Sequence, residues 1–255
     1  MISGQGDGCH SLMDAYDATT YGERIAGIYD DLHAERLDTD ATVTLLAELA
    51  GDGPVLELGI GTGRVALPLA ERGISVSGID SSPAMVDLLR AKPGGERIDV
   101  TIGDFADVDV PGRYGLVFVC FNTIFGLLTQ DDQVRCFENV ARVLADDGVF
   151  VVEAFVADLG RFRRDQNVSA VSVGLDEVQL DVSRHDPVRQ RVDTSHVILS
   201  DGQVRLYPVR IRYAWPSELD LMARLAGLRL HERWAGWNRE PFDAASGSHI
   251  SVYGR

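Results

Sequence analysis

At 255 residues, 45% of them hydrophobic and 25% charged, the chain has ordinary globular composition and enough length to bury one large core without disulfides or structural metal. Its net charge of −15 opposes nucleic-acid binding, which draws on Lys and Arg to neutralise phosphates. The three cysteines, Cys9, Cys120 and Cys136, form no C-x-x-C pair, so neither a metal site nor a redox motif is indicated and a reduced, cytoplasmic setting is expected. No apolar run reaches the length needed to cross a bilayer.

In chain order, Met1–His10 is glycine-rich, without a basic start or an apolar stretch, and reads as a loose tail. Ile25, Ile28, Tyr29 and Leu32 then recur at helical spacing. A second helical stretch through Val43, Leu46 and Ala50 follows, with Thr39 or Asp40 as its N-cap, and Gly51–Pro54 breaks the pattern. From Val55 the rhythm is strand, loop, helix. Strands are expected at Val55–Leu58, Ser75–Ile79, Asp99–Ile102, Leu116–Phe121 and Val149–Phe155, with helices at Val65–Arg72, Pro83–Ala91 and from Thr129 to Leu144. This alternation predicts a parallel sheet with right-handed crossovers.

The next segment changes character. Val178–Asp186, Arg191–Leu199 and Gln203–Tyr213 alternate apolar with polar residues between turn signals, as antiparallel strands do. Arg205, Arg210 and Arg212 cluster there and read as solvated arginines rather than a nucleic-acid strip. A helix from Pro216 to Ala226 and strands at Leu228–Trp234 and His249–Tyr253 close the chain. The whole reads as one α/β domain: an N-terminal helical cap (1–53), a core (54–164), inserted antiparallel strands (165–214), and a last helix with closing strands (215–255).

Glu57-Leu-Gly59-Ile-Gly61-Thr-Gly63 is the most informative segment, since glycines at a strand-to-helix turn let a ligand approach the main chain. A dinucleotide fingerprint, G-x-G-x-x-G/A, calls for a small residue at position 64. Arg64 stands there, which disfavours a nicotinamide-dependent oxidoreductase.

With Asp80 ending the second strand and Gly103-Asp104-Phe105 following the third, the chain resembles the class I S-adenosylmethionine-dependent methyltransferases of small-molecule type. Its layout is similar to that of sugar amine N-methyltransferases. The resemblance implies a Rossmann-like seven-stranded sheet with helices on both faces plus the inserted sheet, S-adenosylmethionine as cofactor, and a small-molecule methyl acceptor. It implies that Glu57, Gly59, Gly61 and Gly63 form the cofactor loop, and that Asp80, with Ser81 beside it, holds the ribose. It places Met85 on the adenine face, Gly103, Asp104 and Phe105 around the adenine amino group, and Phe121 and Asn122 along the methionine side. A tyrosine of the cap is expected to reach the methionine carboxylate: Tyr21 or Tyr29, with Tyr16 behind them.

Methyl transfer is in-line displacement, so alignment matters most and a general base only for some acceptors. Some sugar amine methyltransferases of similar layout carry a histidine in the loop after the fourth strand. This chain has Ile124-Phe125-Gly126 there, so that role does not carry over. The remaining base candidates are Glu153, expected to pair with an arginine, His185, expected in a solvated turn, and His249. The inserted strands are expected to overhang the acceptor as a lid, and either they or the N-terminal helices to form a homodimer contact. A protein that binds the cofactor without transferring methyl, or that runs another reaction on this fold, stays open at this point.

Overall fold

The computed structural model describes residues 16–33 and 38–255. The expected tail and Cys9 lie outside the described residues. Seven strands form the central sheet: β1 (Val55–Leu58), β2 (Val76–Asp80), β3 (Asp99–Ile102), β4 (Tyr114–Val119), β5 (Leu144–Phe155), β10 (Arg229–Trp234) and β11 (Ser248–Gly254). Their order is β10-β11-β5-β4-β1-β2-β3. β1 to β5 are parallel; β11 runs antiparallel to β5, and the edge strand β10 is antiparallel to β11. The chain leaves β1 outward through β2 and β3 and returns on the other side of β1 as β4. The carboxyl ends of β1 and β4 therefore border a crevice, the place where open α/β sheets take ligands.

Alternation along each strand splits the core. Leu56 and Leu58 pack with Phe137, Val140 and Met222 on one face, under α6 (Gln130–Val143) and α7 (Pro216–Leu225). Val55, Leu116 and Phe118 pack on the other face with α3 (Thr39–Ala50), α4 (Ala66–Glu71) and α5 (Pro83–Ala91). Helix starts follow local chemistry. Ser82 and Thr129 accept hydrogen bonds from the backbone N–H groups of Met85 and Asp132, and so cap α5 and α6. The cap of α3 is Asp38, whose carboxylate accepts from the Ala41 N–H, so neither Thr39 nor Asp40 holds that place. Helix α3 buries Val43, Leu45 and Leu46 against the sheet. Among the described residues of the expected N-terminal cap, α1 (Thr20–Ile25) packs instead on α5 and β9, and α2 (Tyr29–His33) follows it.

The inserted sheet has four strands where the alternation pattern indicated three: β6 (Gln166–Val173), β7 (Glu177–Asp186), β8 (Arg191–Ser200) and β9 (Gln203–Arg212), paired in that order. β6 escapes the pattern because it is exposed along most of its length and its pairing slips between Ala170 and Ser172. Arg205 is exposed, as a solvated charge should be, but Arg210 and Arg212 are enclosed. Arg205 pairs with Glu177 at 3.7 Å and Arg210 with Asp193 at 2.5 Å. Buried Arg212 donates to Gln133 Oε1 at 2.6 Å and to Glu218 Oε1 at 2.7 Å, while Gln133 Nε2 donates to the Arg212 carbonyl at 2.8 Å. This network bolts the root of the inserted sheet to α6 and α7.

Removing one partner of a buried pair strands the other, at a cost of about 3–5 kcal/mol. Arg212→Ala is expected to lower unfolding stability by that amount in urea denaturation. A loss below about 1 kcal/mol would show that water replaces the guanidinium.

Candidate active site

The loop after β1 is built for close approach. Gly59, Gly61 and Gly63 all have positive φ, at 72°, 56° and 80°. A Cβ on Gly59 would stand 2.5 Å from Thr123 Cγ2, so that position admits no side chain in this packing. The backbone N–H of Gly59 donates to the Ile79 carbonyl at 2.8 Å, and that of Gly103 to the Asp80 carbonyl at 2.9 Å. The Asp80 carboxylate completes the stitching, accepting from the Gly61 N–H at 2.7 Å and the Ser82 N–H at 2.8 Å. Burial pushes its pKa upward against those bonds. Met85 is buried below it, and Asp104 Oδ1 accepts from the Ala106 N–H, which fixes the turn after β3. Phe105 is half-buried against the core.

Glu57 lies in the crevice, 5% exposed, and its Oε2 has no hydrogen-bond partner among the described residues. Burial raises its pKa to about 8; Arg64 opposes the shift and Asp80 adds to it. Glu57, Arg64, Tyr29, Cys120, Phe121 and Thr123 line a small cavity over Gly59–Thr62.

Helices α1 and α2 close this crevice from above. Asp30 accepts from the Thr62 hydroxyl at 2.6 Å and pairs with Lys92 at 2.7 Å. Glu23 accepts from the Ser82 hydroxyl, and the Ser81 hydroxyl donates to the Ala18 carbonyl. Tyr29 is the cap tyrosine on the cavity wall, its pKa pushed up to about 12 by burial. Tyr21 lies near Tyr29 and Tyr16, also with its pKa raised by burial. The Tyr16 ring lies 5.8 Å from the Arg210 guanidinium of β9.

At the end of β4, Phe121 and Asn122 both take positive φ, 54° and 63°. Such left-handed non-glycine residues persist only when surroundings over-determine them. Here the Glu153 carboxylate accepts from the Phe121 N–H at 2.7 Å and from the Trp237 indole N–H at 3.1 Å. Asn122 Oδ1 accepts from the Phe155 N–H at 2.6 Å. Glu153 thus holds a backbone turn and an indole rather than the expected arginine. His185 is not in a solvated turn: it sits in β7, stacked on Phe162 at 4.8 Å and 3.1 Å from the Tyr213 hydroxyl through Nε2. His249 is fully buried, its Nδ1 2.8 Å from the Ser251 hydroxyl, and burial lowers its pKa to about 4. The Glu153–Trp237 contact spans 84 positions, so no local pattern announces it.

Residues 55–148 match a family model described as a methyltransferase domain. The CcbJ methyltransferase from Streptomyces caelestis is 44% identical, with 94% of this chain and 99% of that chain covered and a TM-score of 0.89. The chain belongs to the class I S-adenosylmethionine-dependent methyltransferases. The cypemycin N-terminal methyltransferase of a Streptomyces species is 25% identical over 89% of this chain and 98% of its own length. The fold is shared with CalS10, an amino pentose methyltransferase from Micromonospora echinaspora solved with S-adenosylmethionine bound (18% identity, TM-score 0.69, covering 89% of this chain and 97% of that one).

The enzyme's residues fit that cofactor. A Cβ added to Gly61 or Gly103 would meet no atom closer than 4.0 Å, leaving open space along the loop. The unpartnered Glu57 oxygen and the Asp80 carboxylate suit a ligand with hydroxyl donors and positive charge better than one with a pyrophosphate.

Glu57 also gives the cofactor-free enzyme a pH signature. Its folded pKa stands above the ordinary 4.5, so its contribution is fully present below about 4.5 and is lost as pH rises through about 8. Glu57→Gln is expected to flatten this decline and to melt above wild type at pH 8. His249 acts in the opposite sense at lower pH and cancels in the comparison. Parallel melting profiles for the two proteins would show that Glu57 is ionised throughout.

Proposed function

We propose that the enzyme methylates an amine nitrogen of a small molecule. The observation that carries this reading is the state of its three base candidates. Glu153 has both oxygens engaged, His249 is buried and low in pKa, and His185 is bonded to Tyr213. An amine acceptor needs no strong base, because it can lose its proton to solvent before reacting. S-adenosylmethionine supplies a methyl group activated by its sulfonium sulfur.

On this reading the chain's own work is positioning. Asp80, with Ser81 and Met85, holds the nucleoside end, its carboxylate already aimed by the Gly61 and Ser82 N–H groups. Asp104 and Phe105 bound the adenine. Glu57 and Arg64, with Tyr29 and Tyr21 above them, face the amino-acid end. Phe121 and Asn122, fixed in their left-handed turn, set the wall on the methyl side. The inserted sheet, with Tyr213 and His185 at its root, roofs the acceptor. The paired arginines and the −15 net charge speak against a nucleic-acid acceptor. The N-terminal acceptor in the name of the cypemycin enzyme supports nitrogen over oxygen.

Incubation with S-adenosylmethionine and a panel of small amines and phenols, read by mass spectrometry, is expected to add methyl groups to amines only. The rate should climb with pH as the acceptor loses its proton. Asp80→Ala should abolish the thermal stabilisation by S-adenosylhomocysteine that wild type shows. Transfer confined to hydroxyl oxygens would overturn the amine reading and leave the cofactor assignment intact.

A further inference from the structure

The pattern of β5 calls for an apolar side chain at position 153. Val149 and Val151 precede it on the same face of the strand and pack in the apolar core. Glu153 interrupts that row, and its partner across the sheet in β11 is Ile250. A carboxylate in such a place costs free energy unless hydrogen bonds compensate it. Here each oxygen has its own neutral donor: Oε2 takes the Phe121 N–H at 2.7 Å and Oε1 the Trp237 indole N–H at 3.1 Å. Two donors on two sides need two acceptor oxygens on one planar group, which a carboxylate presents.

Trp237 belongs to the connection between β10 and β11, residues 235–247, and that connection is itself fixed. The Ala235 N–H donates to the Glu240 carbonyl at 2.8 Å, and the Ser248 hydroxyl donates to the Ala235 carbonyl at 2.8 Å. Arg239 pairs with Glu48 of α3 at 2.8 Å and lies over the Trp234 ring, 5.4 Å from its centroid. The Trp237 ring packs against the apolar core, so its N–H is aimed by rigid surroundings.

We propose that Trp237 is a positioning residue for methyl transfer. It aims the Glu153 carboxylate, and the carboxylate holds the Phe121 N–H and keeps Phe121 in its left-handed conformation. The inference rests on the reading that the Phe121–Asn122 turn walls the methyl side of the site. Asn tolerates a left-handed backbone whereas Phe rarely adopts one, so Phe121 depends more on an external tie. Asn122 has ties of its own: its N–H donates to the Glu153 carbonyl at 3.2 Å, and its Oδ1 accepts from the Phe155 N–H. Loss of the indole N–H therefore leaves the turn folded but lets the carboxylate swing, and the Phe121 backbone with it. In-line transfer is sensitive to such displacement, since about 1 Å can cost roughly a hundredfold in rate. The bonds around Asp80 are separate from this relay, so the nucleoside end keeps its hold.

Trp237→Phe keeps an aromatic ring and removes the donor. With the acceptor found in the amine and phenol panel, kcat should fall about ten- to a hundredfold. The KM for S-adenosylmethionine should stay within about twofold, and thermal stabilisation by S-adenosylhomocysteine should persist. Hydrogen exchange on the cofactor-free full chain should be faster at the Phe121 amide, a readout independent of any acceptor. Glu153→Gln should reproduce both effects, and the double variant should lose no more than Glu153→Gln alone, because both act through one contact. If Trp237→Phe does not fold, Glu153→Gln carries the test with the same readouts. Unchanged kcat, unmoved exchange at Phe121, additive losses, or cofactor stabilisation lost together with activity would overturn the proposal. Transfer to oxygen in place of nitrogen would overturn the amine reading and leave this one standing.

Discussion

The Asp80 carboxylate is the point on which the catalytic end of the molecule turns. One of its oxygens takes the N–H of Gly61 and the other that of Ser82, so a single side chain fixes the loop after β1 to the start of α5. Its own carbonyl takes the N–H of Gly103 and extends the stitch to β3. Three consecutive strand ends are thereby locked before any ligand arrives. Burying a carboxylate costs free energy, and the N–H donors offset part of that cost, which is why burial still prevails in the direction of its pKa. The rigidity suits the ribose-holding role proposed for Asp80, because in-line transfer depends on alignment.

What closes over this rigid floor is held differently. Helices α1 and α2 have six and five residues, too short to be stable alone, and owe their place to tertiary contact. Ile25 supplies a buried anchor, but most remaining ties are polar and partly exposed: Asp30 to Lys92 and Thr62, Glu23 to Ser82. Exposed ion pairs contribute little, so the cap is attached by bonds of small individual worth to the loop it covers. That difference between floor and cap suits a site whose cofactor must enter and whose product must leave.

The sequence made the core legible because its signals are local. Val55–Leu58 is buried at every position, and Pro83–Ala91 carries its own cap in Ser82, so strand and helix are written within a few residues. The glycine loop and Asp80 are short motifs at strand ends, and they lie where the sequence placed them. The roles of Glu153, His185 and His249 were not legible, because each is decided by partners distant in the chain or by burial. Glu153 looks like a strand-end base until Trp237 and the Phe121 N–H arrive, one of them 84 positions away. β6 was invisible for a related reason: its exposed, slipped register leaves no clean alternation to read.

The inserted sheet shows how one pattern serves two ends of an element. At its root, Val192 and Tyr213 join the main core and Arg212 is enclosed by Gln133, Gln190 and Glu218, so the fold of the domain dictates those residues. Farther out, the same strands alternate as strictly, yet the main core no longer reaches them. There Val173, Val204 and Leu206 are 76%, 62% and 56% exposed. The edge strand β9 carries both demands at once. Its outer residues Val204 and Leu206 are exposed, and its inner end reaches α1, Tyr16 and the turn after β4. Strand β9 thus ties the outer half of this sheet to α1 and to the turn that follows Phe121 and Asn122.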